Sequence, residues 1–182
     1  MTTPADGPGD ARRLHGVLLA DMTGFSRLMG EDLTRAVAAL MRIRDVFAAV
    51  VPRHGGTLDV FVGNCFVALF DSAVDAVQAA IAIQTELAGA GRPGGDPVRI
   101  RIGIHLGDVV RSGAEILGDS LNIAARIQAI APPGGITVSE DVDHAVRNRV
   151  KVGVRDLGLK SLKNIRGRMR IYVLDPTAPA GG

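Results

Sequence analysis

LDVFVGNCFVALF (Leu58–Phe70) reads as two apolar strands meeting at a small Gly63-Asn64 turn, and a hairpin here organises everything around it. Upstream, LHGVLLAD (Leu14–Asp21) is a first strand, closing on Asp21 and the turn MTGFS (Met22–Ser26). A helix from about Ser26 to Val51 is predicted because Leu28, Leu33, Val37, Leu40, Met41, Val46 and Phe47 recur near helical spacing; RHGG (Arg53–Gly56) stops it. Downstream, Asp71 and Ser72 can cap a second helix reaching about Leu87, with Val74, Val77, Ala80, Ile81 and Ile83 on one face. GAGRPGGD (Gly89–Asp96) is expected to be a loop.

The run VRIRIGIHLGDVV alternates apolar and polar residues from Val98 to His105, as a strand with one buried face does, and Gly107 is expected to turn it into a partner strand. A third helix follows over about Asp119–Ile130, broken by PPGG (Pro132–Gly135). ITVS (Ile136–Ser139) is a short strand, and Ser139 is expected to cap a short helix through about Val146. VKVGVRDLG and MRIYVL complete the sheet. Strand, helix, hairpin, helix, strand predicts an α+β fold: a ferredoxin-like, split βαβ sandwich whose largely antiparallel sheet is covered by helices. The domain is expected over residues 12–174, between Pro- and Gly-rich tails at 1–11 and 175–182 that lack the apolar content to pack.

With 182 residues, 47% of them hydrophobic, the chain can bury one substantial core and is too short for two comfortable domains. Its longest apolar stretches fall far below the roughly 18 residues of a membrane span, and MTTPADGPGDARR has no apolar signal region, so a cytoplasmic location is the default expectation. Cys65 is the single cysteine, which excludes an internal disulfide and a Cys-rich zinc site; between Asn64 and Phe66 it reads as a small buried hydrophobe. A net charge of +2 and 3% aromatics speak against nucleic-acid binding. Basic residues gather in Lys151–Arg170, as solvated faces with one or two cations available to phosphate.

Asp21 ends a strand just before a Gly and small polar residues that open a helix. A rigid carboxylate beside the unsatisfied first amides of a helix, Thr23 to Ser26, suits a metal and a phosphate. The same pattern also suits a plain N-cap.

ADMTGFSRLMGED, HGGTLDVFVGN, IGIHLGDVV with EILGDSLNIAARIQAIAPPGGITVSE, and DLGLKSLKNIRGRMRIYVL occur here in one order and spacing. Together, over Leu14 to Leu174, they resemble class III nucleotide cyclase catalytic domains, particularly the bacterial adenylate cyclase type. The resemblance implies two domains paired head to tail, a nucleoside triphosphate as substrate (ATP first), and attack of the ribose 3′-hydroxyl on the α-phosphorus to release pyrophosphate. It also implies Mg2+ or Mn2+, held by two aspartates.

Asp21 matches the first metal aspartate, the Met22 carbonyl a further ligand, and the amides of Gly24, Phe25 and Ser26 the phosphate cradle. The second metal aspartate falls on Asn64, which keeps an oxygen and loses the charge that a hard cation depends on. Val60 and Glu115 fall on the adenine-reading Lys and Asp; Val60 cannot hydrogen-bond, and Glu115 reads equally as a solvated loop acid. Asn122 and Arg126, four apart on one helix, match the pair that orients the ribose and stabilises the transition state, and Lys163 matches the cation at the terminal phosphates. Asp108, His54 and His105 are given structural roles.

Three readings follow. The chain is a cyclase whose homodimer turns over weakly, a nucleotide-binding or regulatory partner that completes a heterodimer with another cyclase, or a dimerisation module without a ligand.

Overall fold

The computed structural model describes residues 12–89, 98–112 and 115–176, with backbone only at 60–62, 112 and 115. The expected N-terminal tail and nearly all of the GAGRPGGD loop lie outside the described residues. The last strand runs to Asp175, and residues 177–182 of the expected C-terminal tail lie outside the described residues.

Eight strands and five helices alternate along the described chain: β1 (Arg13–Met22), α1 (Phe25–Glu31), α2 (Leu33–Arg53), β2 (Thr57–Val62), β3 (Cys65–Phe70), α3 (Ala73–Gly89), β4 (Ile100–Ser112), β5 (Glu115–Leu117), α4 (Asp119–Ile130), β6 (Ile136–Ser139), α5 (Glu140–Val146), β7 (Gly153–Ser161) and β8 (Arg168–Asp175). The main sheet runs β2-β3-β1-β4-β6-β8-β7, with β5 pairing the end of β4. Its first four strands are the ferredoxin-like unit expected from the sequence. Every pair is antiparallel except β4 with β6, which α4 connects as a βαβ crossover.

Period-two alternation sorts β1 between two cores. Leu18, Ala20 and Met22 join the main cluster with residues of α2, α3 and α5, whereas Val17 and Leu19 join Val67, Leu69, Val109 and Ala124 beneath α4. In the main core Phe47 of α2 stacks on Phe66 of β3 with ring centroids 4.8 Å apart, a pairing worth about 1 kcal/mol beyond its buried area.

Four expectations are corrected. The single helix over 26–51 is two, because Asp32 adopts an extended backbone and its side chain accepts the Arg35 amide at 2.9 Å, capping α2. The face of α2 that packs is Ala36, Ala39, Ile43, Phe47, Val50 and Val51; Leu33, Val37 and Met41 lie exposed.

Gly107 makes no turn. Strand β4 continues through it, and a methyl group there would stand 2.4 Å from Ser120 Oγ of α4, so the glycine serves packing. Nor has β4 a single buried face: Ile102, Ile104 and His105 are all buried, because helices cover both sides. Finally, Ser139 precedes α5 without capping it, its Oγ lying 2.9 Å from His105 Nδ1.

Third helix, ITVS strand and hairpin stand where the sequence places them. Ser72 caps α3 through its Oγ, which accepts the Val74 amide at 3.1 Å.

Candidate active site

Asp21 is level with Cys65 of β3 on one side and Arg101 of β4 on the other. By the alternation of β1 it shares its face of the sheet with Val17 and Leu19, the face that α4 covers. It does not cap α1; that position is Gly24, in the left-handed conformation at φ 71, with no side-chain bond. The Thr23 amide is taken by the Arg99 carbonyl at 2.9 Å. Gly24, Phe25 and Ser26 precede the first helical bond, from the Leu28 amide to the Gly24 carbonyl at 3.0 Å.

The hairpin delivers Asn64 to this point. Val62 pairs with Cys65, leaving a two-residue turn in which Gly63 takes φ 60. Because Cys65 is level with Asp21, the residue before it arrives beside the carboxylate: Asn64 Nδ2 donates to Asp21 Oδ1. Burial pushes the Asp21 carboxyl above its ordinary value of 3.8, opposed by the Met22 backbone, the Asn64 amide and the Arg101 charge. The Cys65 thiol is pushed up too, by burial and then by Asp21, which leaves it a poor nucleophile and matches its expected packing role.

Arg101 was not singled out by sequence, since it lies in a run of alternating cations on β4 and its role appears only in the register. Its buried Nε has no hydrogen-bond partner among the described residues, and neither has Thr23 Oγ1. Of these, Arg101 is the residue level with Asp21, so its Nε is a donor that a polar ligand at this tip would satisfy.

The pair of divalent ions implied by the resemblance does not fit these residues. Among the described residues Asp21 is the one carboxylate hydrogen-bonded to the tip, and Asn64 turns a donor, not a ligand oxygen, toward it.

Asn122 and Arg126 lie exposed on α4, one turn apart. Lys163 is exposed in the turn between β7 and β8, where the Ile165 amide bonds the Leu162 carbonyl at 3.1 Å and Asn164 takes φ 64. Among the described residues, no hydrogen bond or ion pair joins any of these three to Asp21.

The registers explain why Lys163 in particular stands apart. Asp21 is level with Arg101, Ile104 with Val138 and Ser139 with Ile171, and the Lys163 turn rejoins β8 beyond that, at Arg168. At about 3.3 Å per residue, the turn and Asp21 stand on the order of 20 Å apart along the strands.

Val60 follows an irregularity in β2 and pairs with Val67, and Glu115 opens β5 opposite Ser112; both side chains lie outside the described residues. Between these two elements stands an ion pair the sequence reading missed. Arg111 of β4 grips Asp59 of β2 with two N–H groups, one at 3.2 Å from Asp59 Oδ1. The Asp59 side chain is only 7% exposed. They stand 52 positions apart in the sequence, so no local spacing could have revealed the pair.

The family described as "Adenylate and Guanylate cyclase catalytic domain" matches residues 13–176. "Putative adenylate cyclase 3" of Rhizobium meliloti (strain 1021) is 36% identical over 168 residues, which cover 91% of this chain and 29% of that protein. The chain thus spans less than a third of that relative. Among solved structures, an "Adenylate/Guanylate Cyclase/Hydrolase from Silicibacter pomeroyi" superposes with a TM-score of 0.84 at 35% identity, covering 91% of this chain and 98% of that one. The "guanylyl cyclase Cya2" superposes with a TM-score of 0.81 at 27% identity, covering 95% of each chain.

Proposed function

Because the chain belongs to the adenylate and guanylate cyclase catalytic domain family, we propose that it converts a nucleoside triphosphate, ATP first, into a 3′,5′-cyclic nucleotide and pyrophosphate, slowly and as a pair of copies. Cyclase domains of this class bind nucleoside triphosphates, dimerise and generally use divalent metal ions. No helix among the described residues is long and apolar enough to cross a membrane.

The observation that carries the reading is the separation of the half-sites. Asp21, Asn64 and Arg101 gather at one end of the sheet, and Lys163 lies on the order of 20 Å away at the other. One phosphate chain cannot touch both groups on a single copy, whereas two copies placed head to tail bring the first set of one against the second set of the other. In that arrangement Arg101 and the amides of Gly24, Phe25 and Ser26 face the phosphates from one side. From the partner, Lys163 meets the terminal phosphates, Asn122 orients the ribose, and Arg126 neutralises charge building on the α-phosphoryl oxygens. The 3′-oxygen forms its bond to the α-phosphorus as the bond to the bridging oxygen breaks, pyrophosphate carries away the electron pair, and the hydroxyl proton passes to solvent.

Slow turnover follows from Asn64. Losing one anionic anchor at about 4 Å and an effective dielectric near 20 costs about 4 kcal/mol, or roughly a thousandfold in rate. Val60, lacking a hydrogen-bonding group, leaves the choice of base weak.

A product screen tests this: the chain and its Asn64→Asp/Val60→Lys variant are incubated with each of the four triphosphates and Mn2+ or Mg2+, and cyclic product is quantified. Slow product from the native chain and a large gain with ATP in the variant are expected. No cyclic product from either protein, under conditions where both form dimers, refutes the proposal.

A further inference from the structure

We propose that this chain binds the polyphosphate of its nucleotide without needing a divalent cation. The inference rests on the reading of the site given above and concerns binding alone. It starts from the charge count at the tip of the hairpin. Asp21 contributes one negative charge, Arg101 one positive charge, and Asn64 none, so the cluster is neutral. With an aspartate at 64, two carboxylates would face one guanidinium, and a polyphosphate could approach that net negative cluster only once cations had offset it.

Asn64 removes that requirement by two routes. It deletes the repulsive charge, and its amide N–H holds the remaining carboxylate by a hydrogen bond, leaving Asp21 partnered without a metal. Arg101 is then a cation opposed by one carboxylate rather than two when an anion enters. Its buried Nε, unpartnered among the described residues, gains an acceptor when phosphate arrives, and so does Thr23 Oγ1 when it donates to the same group. Arg101 is level with Asp21 across the β1–β4 pair, and Thr23 follows β1 with its amide bonded to the Arg99 carbonyl.

The experiment is calorimetric titration of the intact chain with ATP, in excess EDTA and again in Mg2+. The expected result is an affinity that agrees within about threefold between the two conditions. Asn64→Asp is expected to lose about tenfold or more in EDTA and recover it in Mg2+, as one added charge some 7 Å from a multiply charged phosphate implies at moderate salt. Asn64→Ala, which restores no charge, is expected to keep binding in EDTA; if it loses as much as Asn64→Asp, the charge argument fails. Native binding present in Mg2+ and abolished by EDTA overturns the inference and leaves the proposed function standing. Absence of ATP binding in both conditions overturns both together.

Discussion

Gly103→Ala tests the link between packing and the candidate site most directly. Gly103 lies on β4 two residues beyond Arg101, beneath α4. A methyl group there would stand 2.4 Å from the Gln128 amide nitrogen, 2.5 Å from the Ala124 carbonyl oxygen and 2.7 Å from the Gln128 Cα. These are backbone atoms of a helix, so no side-chain rotation relieves the overlap. Ordinary contact needs about 3.5 Å, and α4 must therefore retreat by about 1 Å. It is held at both ends, by Ser120 Oγ donating to the Asp108 carbonyl at 2.7 Å and by Thr137 Oγ1 donating to the Ile127 carbonyl at 2.8 Å, so the shift strains bonds as well as packing.

The expected cost is about 2–3 kcal/mol in stability, and because Asn122 and Arg126 ride on α4, a loss of up to about a hundredfold in cyclic-nucleotide production. The same change at Gly30 is the control. Nothing outside the helix's own backbone lies within 4 Å of a methyl group added there, in the last turn of α1, so Gly30→Ala is expected to stabilise by about 0.5 kcal/mol. Urea midpoints of both variants, followed by turnover, check the pair. If Gly103→Ala unfolds at the native midpoint, the close approach of α4 to β4 is not the constraint claimed for it.

Arg111→Ala strips the Asp59 side chain, 7% exposed, of its bidentate partner; because the Arg111 side chain is itself 48% exposed, the expected loss is about 1–3 kcal/mol, less than for a fully buried pair. A double-mutant cycle with Asp59→Asn measures the coupling, and a coupling near zero would mean water replaces the guanidinium at no cost. His105 supplies the pH dependence: burial lowers its imidazole below the ordinary 6.5, against the opposing charge of Asp141. The unfolded chain therefore takes up this proton before the folded one, so stability is full above about pH 6.5 and falls as the pH drops toward the folded value, with a slope of at most about 1.4 kcal/mol per pH unit from this group. His105→Gln is expected to flatten thermal unfolding temperatures between pH 7 and 5, and an unchanged slope would assign the effect to other groups.

What sequence made legible were features encoded within a few residues. Gly63-Asn64 between two apolar runs gave the hairpin, PPGG gave the end of α4, and Ser72 gave the cap of α3. Failures came where two local preferences compete or where distance along the chain hides a partner. Asp32 offered a cap in the middle of a helical pattern, and the cap won, because satisfying the Arg35 amide outweighed continuing through the Leu33, Val37, Met41 repeat that no core covers. Ser139 looked like a cap and was claimed by His105 from another strand. Of the candidate site, Asp21 and Asn64 were readable as a pair through family resemblance, while Arg101 and Asp59 with Arg111 depend on register across the sheet, which period-two alternation does not set.

Asn64 also explains why fold and chemistry can part company at this tip. The turn depends on Gly63 taking a positive φ and on Val62 pairing with Cys65, and neither feels whether the next side chain ends in a carboxylate or an amide. An aspartate there would set a second negative charge against Asp21, whose carboxyl burial already pushes up, so in the absence of bound cations the amide is the better neighbour. Placing an amide at 64 thus avoids a like-charge contact with Asp21 at the expense of the charge that would draw divalent ions to the tip. The two effects share one cause and carry opposite signs for stability and for turnover. On the function proposed above, an amide that suits the tip without cations is expected to slow cyclisation, with every strand and helix unchanged.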